Sequence, residues 1–443
     1  MVVKLLPLMR PRPLEAAFAR RRGQTITTGQ FLQDVAALAA LLPSRRRVAN
    51  LCQDRYRFAV GFAAALTLGQ TTLLPPSEHP GQLAEVLGED DEVYGLLDGE
   101  HPVPIPIFRY PASLCSTSET VPQILAEQIA ALLYTSGSTG KPKAHPRSWG
   151  LLVASANAAA DAFGADRLTG ASLIGTVPHQ HSYGLESLVM LALQHAMVLH
   201  AERPFYPGDI REQLACAPRP RILVTTPVHL RVLLAEDTPT PAADLVLCAT
   251  APLQVELATA AEAAFAAPVH EIYGCSEVGQ IAERRTIETD VWRCLDGIAL
   301  HEKAGAVWAG GASVDVEIPL ADVVSLLDDQ RFRLLGRGAD VVNIAGKRSS
   351  LGYLNAQLNA IDGVVDGVFL LADEAAGHAT ARLVAFAVAP GTSANAILAG
   401  LRDRVDAAFL PRRLHLVDTL PRNALGKLTR DGMGRLLADA SAK

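Results

Sequence analysis

Closely spaced cysteines are missing from this chain. It has six cysteines in 443 residues, and no two of them form a C-x-x-C pair or follow a regular spacing. This pattern argues against a zinc site and against a disulfide framework. Scattered single cysteines are typical of a reducing compartment, so we expect a cytoplasmic protein.

Concentrated positive charge is also absent. The formal net charge is -6, and the arginine clusters at residues 20–22 and 45–47 are short and far apart. A nucleic-acid-binding protein normally shows a concentrated basic surface, so we expect no nucleic-acid partner.

Long apolar runs are lacking as well. The most apolar stretch, at residues 58–74, contains Gly, Thr and Gln and falls short of the roughly 20 apolar residues that span a bilayer. The N-terminal apolar stretch is too short for a signal peptide and is interrupted by Pro7 and Arg10. We therefore expect no association with a membrane.

What the chain does contain is ample apolar material in an alternating pattern. Hydrophobic residues make up 49% of the chain, enough for a large domain and a smaller one. Residues 27–42 have helical spacing, with Thr28 as the expected N-cap; a strand, a second apolar helix and the strand TTLLP follow. This alternation predicts an α/β fold whose sheets are largely parallel.

A run of hydroxyl residues, glycines and lysines follows the apolar segment at residues 129–133. It reads YTSGSTGKPK at residues 134–143. Such a run after a strand brings backbone N–H groups, hydroxyls and ammonium groups together, as a polyphosphate requires. It is not a Walker loop, because Pro142 follows Lys141 and the two glycines are too close together. An ordinary surface loop is the alternative. The predicted phosphate-binding residues are Thr135, Ser136, Gly137, Ser138, Thr139, Gly140, Lys141 and Lys143.

This string resembles the phosphate-loop motif of the adenylate-forming superfamily, which contains acyl- and aryl-CoA synthetases, nonribosomal adenylation domains and beetle luciferases. A second string, YGCSEVG at residues 273–279, is similar to the YGxTE motif of that superfamily. Glu277 stands at a predicted strand end, where an ionised side chain needs a cation, and Mg²⁺ on ATP phosphates would supply it. The alternative is a surface glutamate in a turn. The resemblance implies that Tyr273 meets the adenine and that Gly274 and Ser276 also contact the nucleotide.

Two further segments resemble parts of the superfamily that bind ribose. RFRLLGRGADVVNIAGKR at residues 331–348 is similar to the hinge segment, which implies that Arg337 holds the ribose and that Asp340 is the pivot between domains. Asp322 stands where the superfamily has the aspartate of Thr-Gly-Asp, although its two neighbours differ. That aspartate accepts hydrogen bonds from the ribose hydroxyls.

The resemblance places Lys427 and His181 at the reacting groups. LPRNALGKLTR at residues 420–430 is similar to the C-terminal lysine loop, which implies that Lys427 stabilises charge between the acid and the α-phosphate. The superfamily has an aromatic residue or a histidine at the position of His181, on the passage between phosphate and acid. His179 and His181 could instead form a metal pair, because histidines two apart on a strand share a face, but no third ligand type lies nearby.

Together these strings predict an AMP-forming ligase. Its large N-terminal adenylation domain would span residues 1–336, and a small α+β C-terminal domain at residues 337–443 would rotate about the hinge. The enzyme would use ATP and Mg²⁺ to activate a small carboxylic acid as acyl-AMP. It would then transfer the acyl group to the phosphopantetheine thiol of CoA or of a separate acyl carrier protein.

Several alternatives stay open from the sequence. The acid can be aliphatic, hydroxylated or aromatic, and the oligomeric state is undetermined. The GKRSSL string at residues 346–351 resembles stand-alone synthetases of bacterial polyketide-like or aryl polyene pathways, which load a carrier protein. A role in aryl polyene or fatty-acid-like metabolism therefore stays open. A luciferase-like oxidoreductase acting on the acyl-adenylate would share every nucleotide motif. A nucleotide-binding relative without catalysis is the other alternative.

Overall fold

Two compact units make up the chain in the computed structural model. Unit 1 comprises Met1–Glu288, Arg293–Ala299 and Ala309–Ile318, and unit 2 comprises Thr289–Trp292, Leu300–Trp308 and Pro319–Lys443. The predicted domain boundary after residue 336 stays a prediction. The structure describes residues 4–75, 80–87, 92–100, 102–136, 142–164, 167–337, 341–344, 347–372, 382–402, 404–405, 407–422 and 428–441.

The first large sheet of unit 1, called sheet A, has six strands. All neighbouring strands are parallel except the first pair, which forms an antiparallel hairpin. In spatial order the strands are Pro142–Ser148, Ile129–Ser136, Thr71–Leu74, Arg47–Asn50, Val93–Leu97 and Ile107–Arg109.

The second large sheet, sheet B, contributes eight consecutive strands to unit 1. The six inner strands are parallel, and an antiparallel strand pairs with each end of this group. Because parallel strands point their carboxyl ends to one edge, the segments that follow them meet there. In spatial order the strands are Gly279–Arg285, Val269–Cys275, Leu245–Cys248, Arg221–Thr225, Ser172–Gly175, Val198–His200, Ala17–Arg21 and Gln24–Thr27.

Helices connect these strands, as the alternating pattern predicts. The helix at residues 27–42 begins one residue earlier than expected, so Thr28 as the N-cap is wrong. Thr27 Oγ1 accepts a hydrogen bond from the backbone N–H of Gln30 at 3.2 Å, and Gln30 Oε1 accepts one from the N–H of Thr27 at 2.8 Å, which completes a capping box. The Thr28 hydroxyl is buried and donates to the Ala16 carbonyl. The helical segments of unit 1 are Thr28–Ala39, Arg55–Thr67, Pro80–Leu87, Trp149–Ala162, Ser182–Gly184, the π-helical turn Leu185–Met190, Leu191–Gln194, Pro207–Cys216, Pro227–Leu234 and Val255–Phe265.

A buried guanidinium joins a helix next to sheet A to the strand ends of sheet B. Arg55 is 0% exposed, and it donates to the carbonyls of Gly175 at 2.9 Å and His200 at 2.7 Å, the last residues of two sheet B strands. Burial lowers the pKa of Arg55 to about 9. Carbonyl dipoles offset the cost of burying this charge, so the clamp fixes where those two strands end.

Unit 2 is an α+β unit. An antiparallel hairpin of Asp322–Leu326 and Arg331–Arg337 precedes a second hairpin and a three-stranded sheet. A core containing Leu354, Phe369 and Ile397 packs helices against that sheet. The remaining elements of unit 2 are Val341–Ile344, Lys347–Ser350, Leu351–Asn359, Asp366–Ala372, Arg382–Val388, Ala394–Arg402, the short 3-10 helix Ala407–Phe409, Arg413–Leu416 and Arg430–Ser441.

Short strands complete the structure. They are Leu5–Pro7, which pairs with Gln123–Leu125, together with Val291–Cys294, Ala299–Lys303, Ala306–Gly310 and Ile318–Pro319. Within the described ranges, every helix is too short or too polar to cross a lipid bilayer.

Candidate active site

The carboxyl edge of sheet B gathers several of the predicted site segments. The loop with His181 follows one parallel strand, Thr226 and Thr250 follow the next two, and Glu277 follows the fourth. The Tyr183 side chain contacts two neighbouring strands at this edge. Its hydroxyl lies 3.2 Å from the Thr225 carbonyl oxygen and 2.9 Å from the Leu247 carbonyl oxygen. Open α/β sheets bind their ligands at this kind of edge.

Thr250 has an unusual conformation at this edge. Its φ is 83°, in the left-handed region that a β-branched residue rarely adopts. Its hydroxyl is buried and has no hydrogen-bond partner among the described residues. Glu271, 2% exposed, holds the following residues in place by accepting a hydrogen bond from the backbone N–H of Leu253 at 2.8 Å. The left-handed conformation and the unused buried hydroxyl make this loop a candidate ligand contact.

Both ends of the phosphate run lie on a β-hairpin, called the phosphate hairpin, whose strands are Ile129–Ser136 and Pro142–Ser148. Ser136 lies opposite Pro142, and Thr135 lies opposite Lys143, on the two antiparallel strands at the edge of sheet A. The sequence reading missed the second strand, whose prolines are compatible with an edge position. Lys143 is exposed. Gly137, Ser138, Thr139, Gly140 and Lys141 lie outside the described residues, and phosphate binding by the whole run stays a prediction.

Basic residues alternate along the second strand of this hairpin. Lys143, His145 and Arg147 occupy every other position and therefore share a face. Arg147, 3% exposed, donates to the carbonyl of Val278, and His145 Nε2 lies 3.9 Å from Glu277 Oε1. The hairpin thus contacts the turn that carries Glu277. Sequence reasoning missed His145 and Arg147, although their period of two was the available signal.

Glu277 lies in the turn between two sheet B strands, with 35% of its side chain exposed. Burial lowers the pKa of His145 below its ordinary value; the Glu277 carboxylate opposes this shift and the Lys143 ammonium adds to it. Burial raises the pKa of Cys275 to about 12, with a further contribution from Glu277, so that thiol is protonated at neutral pH. Glu277 is therefore the accessible acidic group of this turn.

A single accessible carboxylate beside a phosphate hairpin fits Mg²⁺. This ion prefers one or two carboxylates, with phosphate oxygens and water as its other ligands. The described residues contain no group of three or more His, Cys, Asp or Glu that could hold a metal by itself. The donor set suits an ion that arrives with ATP, and Glu277 as its protein ligand stays a prediction.

The side chain of His179 is buried in the protein interior. It is 1% exposed, its Nε2 lies 2.9 Å from the Cys52 carbonyl oxygen, and its ring packs on Phe58 with centroids 4.6 Å apart. Burial lowers its pKa to about 3, and the Arg55 guanidinium adds to the shift. His179 is thus buried with its Nε2 in contact with a backbone carbonyl. His181, by contrast, is only partly buried and lies at the edge of sheet B.

The substitution His179→Gln should make the free energy of unfolding depend less on pH below about pH 6.5. Between about pH 3 and the ordinary histidine pKa near 6.5, the unfolded chain binds a proton that the folded chain does not. The free energy of unfolding therefore falls on acidification below pH 6.5, by up to about 1.4 kcal/mol per pH unit for this group. Urea unfolding of both proteins from about pH 5 to pH 7 measures the slope. His181→Gln is the control, and equal slopes for wild type and His179→Gln would contradict the assignment.

Two predicted ribose residues come together in unit 2. Asp322 and Arg337 lie directly opposite each other on the antiparallel hairpin. Asp340 lies outside the described residues. Tyr273 is 8% exposed, and Gly274 and Ser276 lie further along the same segment, at and just beyond the end of a sheet B strand. These nucleotide contacts and the hinge stay predictions.

The predicted lysine loop is closed at its base. An isolated bridge pairs Arg422 with Leu428, on either side of residues 423–427. The guanidinium of Arg422 binds both carboxylate oxygens of Asp366, at 2.7 and 2.8 Å. Lys427 itself lies outside the described residues. A bidentate pair at the base anchors the loop to the three-stranded sheet of unit 2.

Comparisons with known proteins agree with this arrangement. A family model described as "AMP-binding enzyme" matches residues 9–307, more than half of the chain. A 4-coumarate–CoA ligase from Rhodobacter capsulatus is 27% identical over 70% of this chain and 76% of its own length. A probable 2-succinylbenzoate–CoA ligase from Mycobacterium tuberculosis is 27% identical over 77% of this chain and 93% of its own length.

A solved structure shares the fold. The O-succinylbenzoate coenzyme A synthetase of Bacillus subtilis, in complex with ATP and magnesium ion, has a TM-score of 0.79 at 19% identity, covering 93% of this chain and 94% of that chain. The α/β fold class and the enzyme class predicted from the sequence are confirmed. The chain belongs to the AMP-binding enzyme family, and it is an AMP-forming acid–thiol ligase.

Proposed function

We propose that this ligase converts an aromatic carboxylic acid into its CoA thioester through an acyl-adenylate. The observation that carries the proposal is the contact between the phosphate hairpin and the Glu277 turn at the carboxyl edge of sheet B. The relatives reported above are named for 4-coumarate and 2-succinylbenzoate, which are both aromatic acids, and for CoA. Their names support the acid class and the thiol.

In the first half-reaction, a carboxylate oxygen of the acid attacks the α-phosphorus of ATP, and the bond from that phosphorus to the pyrophosphate oxygen breaks. No general base is needed, because a carboxylic acid is already ionised at neutral pH. The phosphate run, including Lys141 and Lys143, holds the leaving pyrophosphate, and Lys427 balances charge at the α-phosphate. Glu277 would hold the Mg²⁺ that arrives with ATP, and the ion would neutralise part of the phosphate charge.

In the second half-reaction, the thiol sulfur attacks the acyl carbon, the bond from that carbon to the AMP oxygen breaks, and the thiol proton is released. We propose that the C-terminal domain rotates about Asp340 between the two steps and withdraws Lys427. The free energy of adenylation then drives thioester formation.

Side chains at the edge of sheet B support an aromatic acid. The hydroxyl of Tyr183 is occupied by two backbone carbonyls, so its ring is held in one orientation between two strand ends. His229 Nδ1 lies 2.8 Å from Thr226 Oγ1, and its ring meets the exposed ring of Phe205 with centroids 5.6 Å apart. Rings held in this way offer flat apolar surfaces on which an aromatic acid can stack.

A panel of acids tests the proposal. ATP–pyrophosphate exchange is measured with 4-coumarate, 2-succinylbenzoate and octanoate. Thioester formation and AMP release are then measured without oxygen, with CoA or with a phosphopantetheinylated acyl carrier protein. We expect the fastest exchange with an aromatic acid and CoA-dependent AMP release.

Each other outcome contradicts one part of the proposal. Exchange with octanoate alone would reject the aromatic class, and transfer only to the carrier protein would reject CoA. A requirement for oxygen would favour the luciferase-like oxidoreductase. ATP binding without exchange for any acid would favour a non-catalytic relative.

A further inference from the structure

A fully buried carboxylate lies beneath the candidate active site. Glu186 is 2% exposed and sits in the π-helical turn Leu185–Met190. Its Oε1 accepts a hydrogen bond from Ser182 Oγ at 2.7 Å, and its Oε2 accepts one from Ser155 Oγ at 2.8 Å and another from the Gln280 backbone N–H at 3.3 Å. A carboxylate is buried at tolerable cost only with such donors.

The donors to Glu186 come from separate parts of the fold. Ser182 directly follows His181. The loop between the strand Ser172–Gly175 and the helix Ser182–Gly184, which ends at His181, is called the histidine loop. Gln280 lies at the start of the strand that follows the Glu277 turn. Ser155 belongs to the helix Trp149–Ala162, which itself contains no predicted site residue. One carboxylate therefore joins the histidine loop to the Glu277 turn.

The phosphate hairpin reaches the same point. Arg147 donates to the carbonyl of Val278, the last residue of the Glu277 turn, and Gly279 begins the strand that follows. Gly279 has a φ of 96°, and a Cβ added there would lie closer than 3.0 Å to the Arg147 guanidinium and to the Glu186 carboxylate. Only glycine allows the turn to approach both groups. The three segments of the proposed site are thus packed around Glu186.

We propose that Glu186 is a positioning residue, which sets His181 and Glu277 relative to each other before the substrates bind. The inference rests on the proposed function. Glu186 acts through Ser182 on the histidine loop and through the Gln280 N–H on the Glu277 turn. Its site in a π-helical turn fits this role, because single π turns often occur at functional sites. Reactions that depend on alignment lose rate steeply when a positioned group moves by about 1 Å.

Two serine substitutions form a matched pair for the test. Ser182→Ala and Ser155→Ala each remove one hydroxyl from Glu186, one from each oxygen, so we expect similar decreases in Tm. Ser182→Ala should lower kcat for pyrophosphate exchange by about 10- to 100-fold, because the histidine loop loses its anchor. Ser155→Ala should keep kcat within about 3-fold, because its helix carries no site residue. Calorimetric titration with Mg–ATP should give similar Kd values for both variants.

Two further variants complete the design. Ser182→Thr keeps the hydroxyl and should restore kcat. Gly279→Ala forces Arg147 and Glu186 apart from the turn, and should raise the Kd for Mg–ATP by about 10-fold with a smaller change for metal-free ATP.

The outcomes separate this inference from the proposed function. If both serine variants lose activity in proportion to their loss of Tm, Glu186 is a structural anchor and the inference is wrong. If Ser182→Ala does not fold, failure of Gly279→Ala to change the Kd for Mg–ATP overturns the inference. Absence of pyrophosphate exchange in the wild type would instead overturn the proposed function.

Discussion

Replacing Lys427 with alanine should lower the rate of acyl-adenylate formation by about 100- to 1,000-fold, while the Kd for ATP changes only a few-fold. One preorganised donor at developing charge contributes roughly 2.7 to 4 kcal/mol in comparable sites. In the proposed mechanism, the Lys427 ammonium stabilises charge only while the carboxylate reacts with the α-phosphate. Pyrophosphate exchange measures the adenylation rate, and calorimetric titration measures ATP binding.

The second half-reaction provides an internal control for this variant. Supplied with preformed acyl-adenylate and CoA, Lys427→Ala should form thioester at close to the wild-type rate, because the proposed domain rotation withdraws Lys427 before this step. Lys303→Ala is the matched control, since Lys303 is an exposed lysine of unit 2 whose ammonium lies over the Trp308 ring. Undiminished exchange by Lys427→Ala would reject the proposed role.

The substitution Glu277→Gln should raise the Mg²⁺ concentration that gives half-maximal pyrophosphate exchange by at least about 10-fold. Glutamine keeps the shape of the side chain but loses the charge that makes a carboxylate a good Mg²⁺ ligand, and even indirect changes at metal sites cost 10- to 100-fold. A Mg²⁺ titration of pyrophosphate exchange at fixed ATP measures the effect. Calorimetric titration with metal-free ATP should give a nearly unchanged Kd.

A surface carboxylate controls for loss of charge alone. Glu256 is exposed in the first turn of the helix Val255–Phe265, outside the proposed site. Glu256→Gln should show the wild-type Mg²⁺ response. If Glu277→Gln and Glu256→Gln both follow the wild-type curve, Glu277 is a turn residue without a metal role.

Local patterns predicted much of the fold. The second apolar helix is present as Arg55–Thr67, because helical spacing depends on neighbours within one or two turns. The order of strands and helices likewise predicted the parallel sheets. The cap of the first helix was misplaced by one residue, because Thr27 and Thr28 are equally good caps by type. Their different burial was decided by contacts with Ala16, which the pattern does not encode.

The candidate site was likewise predicted only in part. Ordered strings such as YTSGSTGKPK and YGCSEVG identified the chemistry, because phosphate and Mg²⁺ require particular groups within a short stretch of chain. The same strings did not reveal that the two ends of the phosphate run pair with each other as antiparallel strands, because a pairing register involves both strands. Nor did they reveal that His179 Nε2 lies against the backbone carbonyl of Cys52, two residues beyond the sheet A strand Arg47–Asn50.

The amino-acid sequence by itself determined the fold class, the family and the type of reaction, because these depend on residue types at short spacings. Only the tertiary structure decided which side chains support the site. Arg147, Glu186 and Gly279 are distant in sequence, and they meet because strand pairing and burial bring their segments together. Long-range packing satisfies the buried Glu186 carboxylate with donors from three elements, and no local pattern specifies that arrangement.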